Sequence, residues 1–337
     1  MSIVGTNAPT LSDLAKRMGE NNQIAKIIEI LADSNEILDD MPWVEGNQTS
    51  GHKTTIRTGF PAVAWRLFNA GVQPSKSTTK QITDSVGMLE SYAEVDKALA
   101  DLNGNTSDFR LSEDVAFLES MNQEMASTVF YGNAGTDPEK FTGLAPRFDT
   151  PSADPDIVGF NILDGAGVGA DNTSVWLIGW GPRSCHGIYP KGSSAGLQFE
   201  DLGQQTLEDA AGGKYEGYRS HYKWDAGLTL RDWKHVVRIA NIDVSNLAGG
   251  SAADLIKLMV RAFHRTPPGR SGVRYAFYAS RVVHTALHIQ AMEKTNVNLT
   301  LDNVEGKPVT SLLGIPIRRV DAISDAESAV AGTFGHL

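Results

Sequence analysis

Along the chain, apolar positions fall into three regimes. In the first forty residues Leu11, Leu14, Ala15 and Met18 follow the i, i+3, i+4, i+7 spacing of one helical face. Ile24, Ile27, Ile28 and Leu31 repeat that spacing after Asn21-Asn22, a pair suited to capping a helix, and Met41-Pro42-Trp43 ends the pattern. An amphipathic arm so far from any strand has to bury its stripe against the body or another subunit. Residues 46–95 change character: Thr, Ser, Gly and Gln abound, while Ile56, Phe60, Val63, Trp65, Leu67 and Val72 alternate in a broken, strand-like way around Gly71 and Pro74. This predicts a long two-stranded excursion with a polar tip. Loops of that length are unusual inside a compact domain and are commonly functional.

The remainder is mixed. Ser112 is a good N-cap, and Glu113 to Tyr131 follows without Pro or Gly, its apolar side marked by Val115, Leu118, Met121, Met125 and Val129; Gly132 closes it. About twenty residues at 1.5 Å rise make a rod of roughly 30 Å, enough to span a domain. Turn signals crowd the next stretch, and strands are predicted at Ser174–Trp180, Leu228–Trp233, His235–Ile242, Val273–Tyr278 and Ile315–Val320. Helices capped by Ser251 and Ser280 should run to Phe263 and to about Met292, the first stopped by Pro267-Pro268-Gly269. Strands and helices mix without regular βαβ alternation, so the fold class is α+β.

Composition narrows the classes. The 337 residues, 41% of them hydrophobic, provide for a sizeable core; 33 glycines imply many tight turns. A lone cysteine, Cys185, rules out an intrachain disulfide, no apolar run approaches the ~18 residues of a membrane span, and the N-terminus lacks signal-peptide character. The expectation is a soluble, acidic protein of a reducing compartment.

Charge changes the picture more. The net charge is −10, but it is segregated. Residues 1–41 carry seven acids against Lys16, Arg17 and Lys26, whereas Gly46–Thr83 has no acid and carries Lys53, Arg57, Arg66, Lys76 and Lys80. A second acid-free window, Leu255–Met292, holds Lys257, Arg261, Arg265, Arg270, Arg274 and Arg281. Long basic segments in an acidic chain ask for complementary charge, from nucleic acid or from the acidic surface of a neighbouring copy.

No catalytic constellation stands above chance. Gly192-Ser193-Ser194-Ala195-Gly196 matches G-x-S-x-G, which leaves a serine hydrolase using Ser194 as an alternative; no strand–turn–helix context is evident, and a glycine-rich turn is the better reading. Gly165-Ala166-Gly167-Val168-Gly169 lacks the last glycine of a dinucleotide loop. His284 and His288 could share a helix face as metal ligands, but no third ligand is marked, and Cys185-His186 lacks zinc spacing; no metal or cofactor is expected. The six tryptophans are scattered and suit core or interface anchoring.

Several passages resemble the major capsid protein of tailed bacteriophages, the short-tailed (podovirus-type) branch in particular. They are the long helix running into Gly132-Asn133 and then Pro138-Glu139-Lys140-Phe141-Thr142-Gly143-Leu144; Gly187-Ile188-Tyr189-Pro190 with Gly196-Leu197 and Asp201-Leu202-Gly203; Gly227-Leu228 through Arg238-Ile239-Ala240-Asn241-Ile242; and Tyr278-Ala279-Ser280-Arg281 with Leu313-Gly314-Ile315-Pro316-Ile317-Arg318 and Asp321-Ala322-Ile323. The resemblance covers most of the chain apart from its ends. It implies an N-terminal arm (1–45), an extended β-hairpin loop (46–95), a peripheral domain (96–150) with a spine helix at 112–131, and an axial domain with returning peripheral strands (151–337). The passage from Tyr278 to Val320 comes later here than in better-known members, so rearranged connectivity is expected.

The resemblance further implies hexamers and pentamers of an icosahedral shell around double-stranded DNA, assembled in the bacterial cytoplasm. A separate scaffolding protein, a portal and a decoration protein are the partners it brings, with no sequence-specific DNA binding and no membrane. No Lys–Asn cross-link is marked. A related nanocompartment shell is the second alternative. On the capsid reading the basic loop lies across an acidic part of a neighbour, with Arg57, Phe60, Trp65, Arg66, Leu67, Phe68 and Lys76 as the contact residues.

Overall fold

The computed structural model describes residues 8–9, 35–102, 106–209, 211–247, 254–267, 272–292, 299–304 and 307–335. The arm helices expected before residue 35, and Ser251 as a cap, lie outside the described residues.

Strand β5 (Asn172–Trp180) is the centre of the molecule, buried at all nine positions. An unbroken run of apolar and small residues suits a strand covered on both faces. Trp176, Ile178 and Trp180 point into one core with Phe130, Phe148 and Tyr278. Val175 and Leu177 point into the other, against Met259, Phe277, Val283 and Leu287. β9 (Val236–Asp243) and β10 (Arg274–Ala279) flank β5 antiparallel.

Among the described residues further strands extend the sheet to thirteen: β1 (Trp43–Glu45), β2 (Gly51–Gly59), β3 (Thr78–Asp96), β4 (Ile162–Asp164), β6 (Cys185–Tyr189), β7 (Gln198–Glu208), β8 (Lys214–Leu230), β11 (Leu299–Val304), β12 (Lys307–Leu312) and β13 (Ile315–Arg319). The main path runs β11-β12-β13-β10-β5-β6-β8-β3-β2. The late passage therefore returns to the centre of the sheet: β10 pairs with β5, and β13 lies parallel to β10.

Helix α1 (Ile37–Asp40) is one turn below β10, and α2 (Lys97–Ala100) is capped by Asp96, whose carboxylate accepts the Ala98 N–H at 2.7 Å. The long helix α3 runs Thr106–Tyr131. It starts six residues before the expected 112: Ser112 is inside it and donates its hydroxyl to the Phe109 carbonyl at 2.7 Å instead of capping. Phe109, buried against Val95 and Ala100, anchors the added turns. α3 ends where two glycines allow backbones to meet. A Cβ on Gly132 would stand 2.4 Å from the Phe141 carbonyl oxygen, and one on Gly143 would stand 2.6 Å from that of Thr128. The Phe-x-Gly-Leu passage is thus the strap that closes α3, with Leu144 N–H donating to the Val129 carbonyl.

β7 and all of β8 before Leu228 lie outside the predicted strands, and β8 stops at Leu230 where Arg231-Asp232 turns. Helices α4 (Leu255–Arg265) and α5 (Arg281–Met292) cover the second core. Within the basic window they span, Arg265 is spent internally: it is buried, donates to the carbonyls of Phe160, Ile162 and Gly335, and burial lowers its pKa to about 10.

Candidate assembly interface

The β2–β3 hairpin leaves the body as a two-stranded arm. Ile56 pairs with Lys80 and Arg57 with Thr79, and a bulge follows between Arg57 and Gly59. Nineteen residues in β3 amount to roughly 60 Å of strand. Residues 60–77 form the tip, braced by Ser75 donating to the Ala62 carbonyl at 2.8 Å and by a turn from Leu67 to Ala70. The tip is apolar, contrary to the polar tip expected. Phe60, Val63, Trp65, Leu67 and Phe68 keep between 81% and 105% of their reference surface. The basic residues Lys53, Arg57, Arg66, Lys76 and Lys80 are exposed along the same arm, Arg66 reaching the Ala70 carbonyl at 3.4 Å. A solvated strap of five large apolar groups is a liability unless it is covered.

A second exposed apolar feature lies on α3. Its last half packs on the main core through Met125, Val129 and Phe130 and on Ala93 and Tyr222 through Met121. Its first half keeps Leu111 (63%), Val115 (43%) and Leu118 (39%) exposed at helical spacing, the last two on the apolar side that the sequence pattern marks. Residues 106–124 carry Asp108, Glu113, Asp114, Glu119 and Glu124 against Arg110 alone. Arg110 is already paired with Asp201 at 2.5 Å and lies over the Tyr218 ring.

The root of the hairpin holds a polar cluster that single residues in the sequence did not signal. β8 lies between β6 and β3, pairing with β3 from Gly217 to Gly227 and with β6 from Gly227 to Leu230, and beyond that junction β3 runs on toward the tip paired with β2. At this junction His52 from β2, Asp84 from β3, His186 from β6 and Arg231 gather into a wedge of polar side chains. Arg147 ties Asp84 at 2.9 Å and donates to carbonyls of Thr142, Gly143 and Leu228. Arg231 Nη2 donates to His52 Nε2 at 2.6 Å, and the rings of His52 and His186 meet edge-on at 6.2 Å. Burial and the Arg231 charge lower the pKa of both, that of His186 to about 4.

Against known proteins, residues 19–331 match the family described as "Major capsid protein GP7". The chain belongs to the major capsid protein GP7 family. A bacteriophage Epsilon15 chain solved by cryo-EM is 39% identical, covering 98% of this chain and 99% of that one, with a TM-score of 0.77. The bacteriophage JBD30 capsid is 10% identical (87% and 93% covered, TM-score 0.48), and the SrpI encapsulin of Synechococcus elongatus 12% identical (70% and 97%, TM-score 0.38). Comparison with curated proteins gives no match. This is the major capsid protein of a tailed phage, a structural component of the virion capsid; of the two shells anticipated, the close relative is the phage one.

The other sequence candidates take structural places in the capsid protein. Gly192–Gly196 is a turn between β6 and β7 in which Gly192 and Gly196 adopt positive φ, Ser194 is exposed, and no helix follows. A nucleophile elbow needs a strand-to-helix turn with a base in reach. Ser194→Ala should therefore leave assembly unchanged, as counted by particle yield; loss of a measurable esterase activity in that variant would restore the hydrolase reading. Gly165–Gly169 closes onto β9, with the Gly165 and Gly167 N–H groups donating to carbonyls of Ala240 and Asn241. His284 and His288 lie with ring centroids 4.5 Å apart and planes tilted by 57°, but His288 bonds the Thr310 hydroxyl, and the described residues hold no group of three metal-ligating side chains. The Cys185 thiol is fully buried and burial raises its pKa to about 12, which keeps it an inert thiol. No described helix is long and apolar enough to cross a membrane.

Proposed function

We propose that copies of this capsid protein assemble through the β2–β3 hairpin, the tip of one copy lying on the exposed first half of α3 in a neighbour. The observation that carries this is the tip itself: five large apolar side chains in solvent on a segment without a single acid. The α3 face offers what such a tip lacks, an apolar stripe set among acids. The N-terminal arm is the less suitable occupant of that stripe, because residues 1–41 carry seven acids against three bases and would bring like charge to an acidic face.

On this reading residues 1–45 are an arm, 46–95 the extended loop, 96–150 a peripheral domain and 151–337 an axial domain with returning strands. Hexamers and pentamers close an icosahedral shell around double-stranded DNA without reading its sequence, and the chain performs no catalysis. A scaffolding protein, a portal and a decoration protein complete the assembly in the bacterial cytoplasm.

Individual surface ion pairs are worth only ~0–1 kcal/mol, so the charges set register while apolar burial holds the contact. Arg57→Glu with Arg66→Glu should reduce shell yield several-fold in electron micrographs while leaving the circular dichroism of the unassembled chain unchanged. Normal yield from that variant would remove the charge-guided docking.

A further inference from the structure

The hairpin is attached to the body through a wedge whose contents are titratable, and this gives the docking element a control. We propose that His52 and His186 make the hairpin root an acid-sensitive hinge, held closed while both rings are neutral and opened when they take up protons. The proposal rests on the hairpin being the assembly element, but the root can be tested apart from assembly.

Geometry carries the argument. An arginine has no acceptor, so Arg231 can only donate to His52 Nε2, and that nitrogen must be unprotonated in the closed root. A proton there would set two donors head to head. His186 is fully buried and neither ring nitrogen has a full hydrogen-bond partner; the Gly181 backbone stands near it and is the one group favouring its charged form. Two fixed charges act on the pair from the packed elements, the Arg231 guanidinium on both rings and the Asp84 carboxylate on His52. Arg231 follows β8, and Arg147 reaches in from the strap after α3. Asp84 on β3 pulls the other way, but Arg147 already occupies it, and Cys185 on β6 is a neutral thiol. A protonated imidazole in this wedge has no free carboxylate to meet, and relief comes from separating β2–β3 from β6 and readmitting water.

The position makes this a hinge and not merely a buried pair. β3 has β8 as a partner only from Val86 onward and β2 as its partner from Thr78 to Ser85, and the wedge sits where that change occurs. The backbone there is tight: a Cβ on Gly51 would lie 2.2 Å from the Asp84 carbonyl oxygen, and one on Gly227 2.6 Å from that of Ser85. There is no slack through which the root could adapt while closed. The sign follows from the depressed pKa values. The closed form binds fewer protons than the open one, so closure is complete above the ordinary histidine value of 6.5 and is lost as pH falls toward about 4.

Hydrogen exchange by mass spectrometry on the full, unassembled chain reads this directly. After correction for intrinsic exchange, peptides covering residues 51–56 and 82–86 should exchange about tenfold faster per pH unit below the histidine range for one ring taking up a proton and up to about a hundredfold for both, while β5 and β9 keep their protection. In His52→Gln with His186→Gln that pH response should flatten. Because the double variant could misfold, histidine NMR titration of the wild type gives a second reading, with two midpoints below 6.5 that track the exchange. Root exchange unchanged between pH 7.5 and 4.5, an equal response in the double variant, or loss of β5 protection at the same pH would each overturn the hinge. If the root opens but charge reversal at Arg57 and Arg66 leaves assembly intact, the hinge stands and the docking reading fails.

Discussion

Replacing Glu327 by Ala is expected to cost about 3–5 kcal/mol of stability, the usual penalty for stripping a buried ion pair of one partner. The Glu327 carboxylate accepts the Tyr131 hydroxyl at 2.5 Å, the Ser174 hydroxyl, and Arg238 Nη2 at 2.8 Å. Arg238 and Glu327 keep 6% and 7% of their side-chain surface. Arg238 also donates to the Ser174 hydroxyl and the Phe148 carbonyl and lies over the Trp176 ring, so the pair sits inside the main core. Burial and the carboxylate together push the Tyr131 pKa upward, which keeps its hydroxyl a donor.

Without the carboxylate, Arg238 is a buried charge with no counterion and Tyr131 a buried donor with no acceptor. The backbones of Asn172 and Glu327 also bond each other in both directions, so the same change loosens the C-terminal segment from β5. Denaturant unfolding should show a lower midpoint with an unchanged slope, and the C-terminal segment should be cut sooner by protease. The double variant Glu327→Leu with Arg238→Met should recover much of the loss, because an apolar replacement removes the desolvation cost of both charges. A single variant as stable as the wild type would mean that the network contributes only packing.

What was legible in the sequence was what neighbouring residues decide together. β5, β9 and β10 announced themselves as short apolar runs, and α3 as a long stretch without Pro or Gly. The start of α3 was not, because its first turns depend on Phe109 meeting Val95 and Ala100, a tertiary contact. β7 and most of β8 were hidden because their alternation sets Tyr222, Trp224 and Ala226 against Lys223 and Asp225, with glycines interspersed, and no apolar run results. The hairpin could be read from its missing acids. Its root could not: His52 and Arg231 touch although 179 residues apart, and Tyr131 and Glu327 although 196 apart. Only the register of the sheet joins such groups. By its spacing Cys185-His186 is only a failed metal motif, whereas the His186 imidazole faces another histidine and the charge of an arginine.

The second large effect should come from Trp65→Ser with Phe68→Ser. Both side chains stand fully in solvent in the single chain, so their removal should leave unfolding of the unassembled protein unchanged to within about 0.5 kcal/mol. Burying each against a neighbour would contribute about 1.5–3 kcal/mol, and losing both about 3–6 kcal/mol per contact. At 1.4 kcal/mol per decade, the concentration needed for assembly should rise by a factor of ~10² to 10⁴. Reversing Arg57 and Arg66 should do less, since exposed pairs are screened and individually weak. Leu111→Ser with Leu118→Ser on α3 should reproduce the tip defect at a smaller size, these side chains being partly covered already. Light scattering across a concentration series ranks the three variants. If the charge reversal proves more damaging than loss of Trp65 and Phe68, the tip is held by electrostatics and added salt should dissolve the contact. If the α3 pair assembles like the wild type while the tip pair does not, the tip docks on a different face of its neighbour.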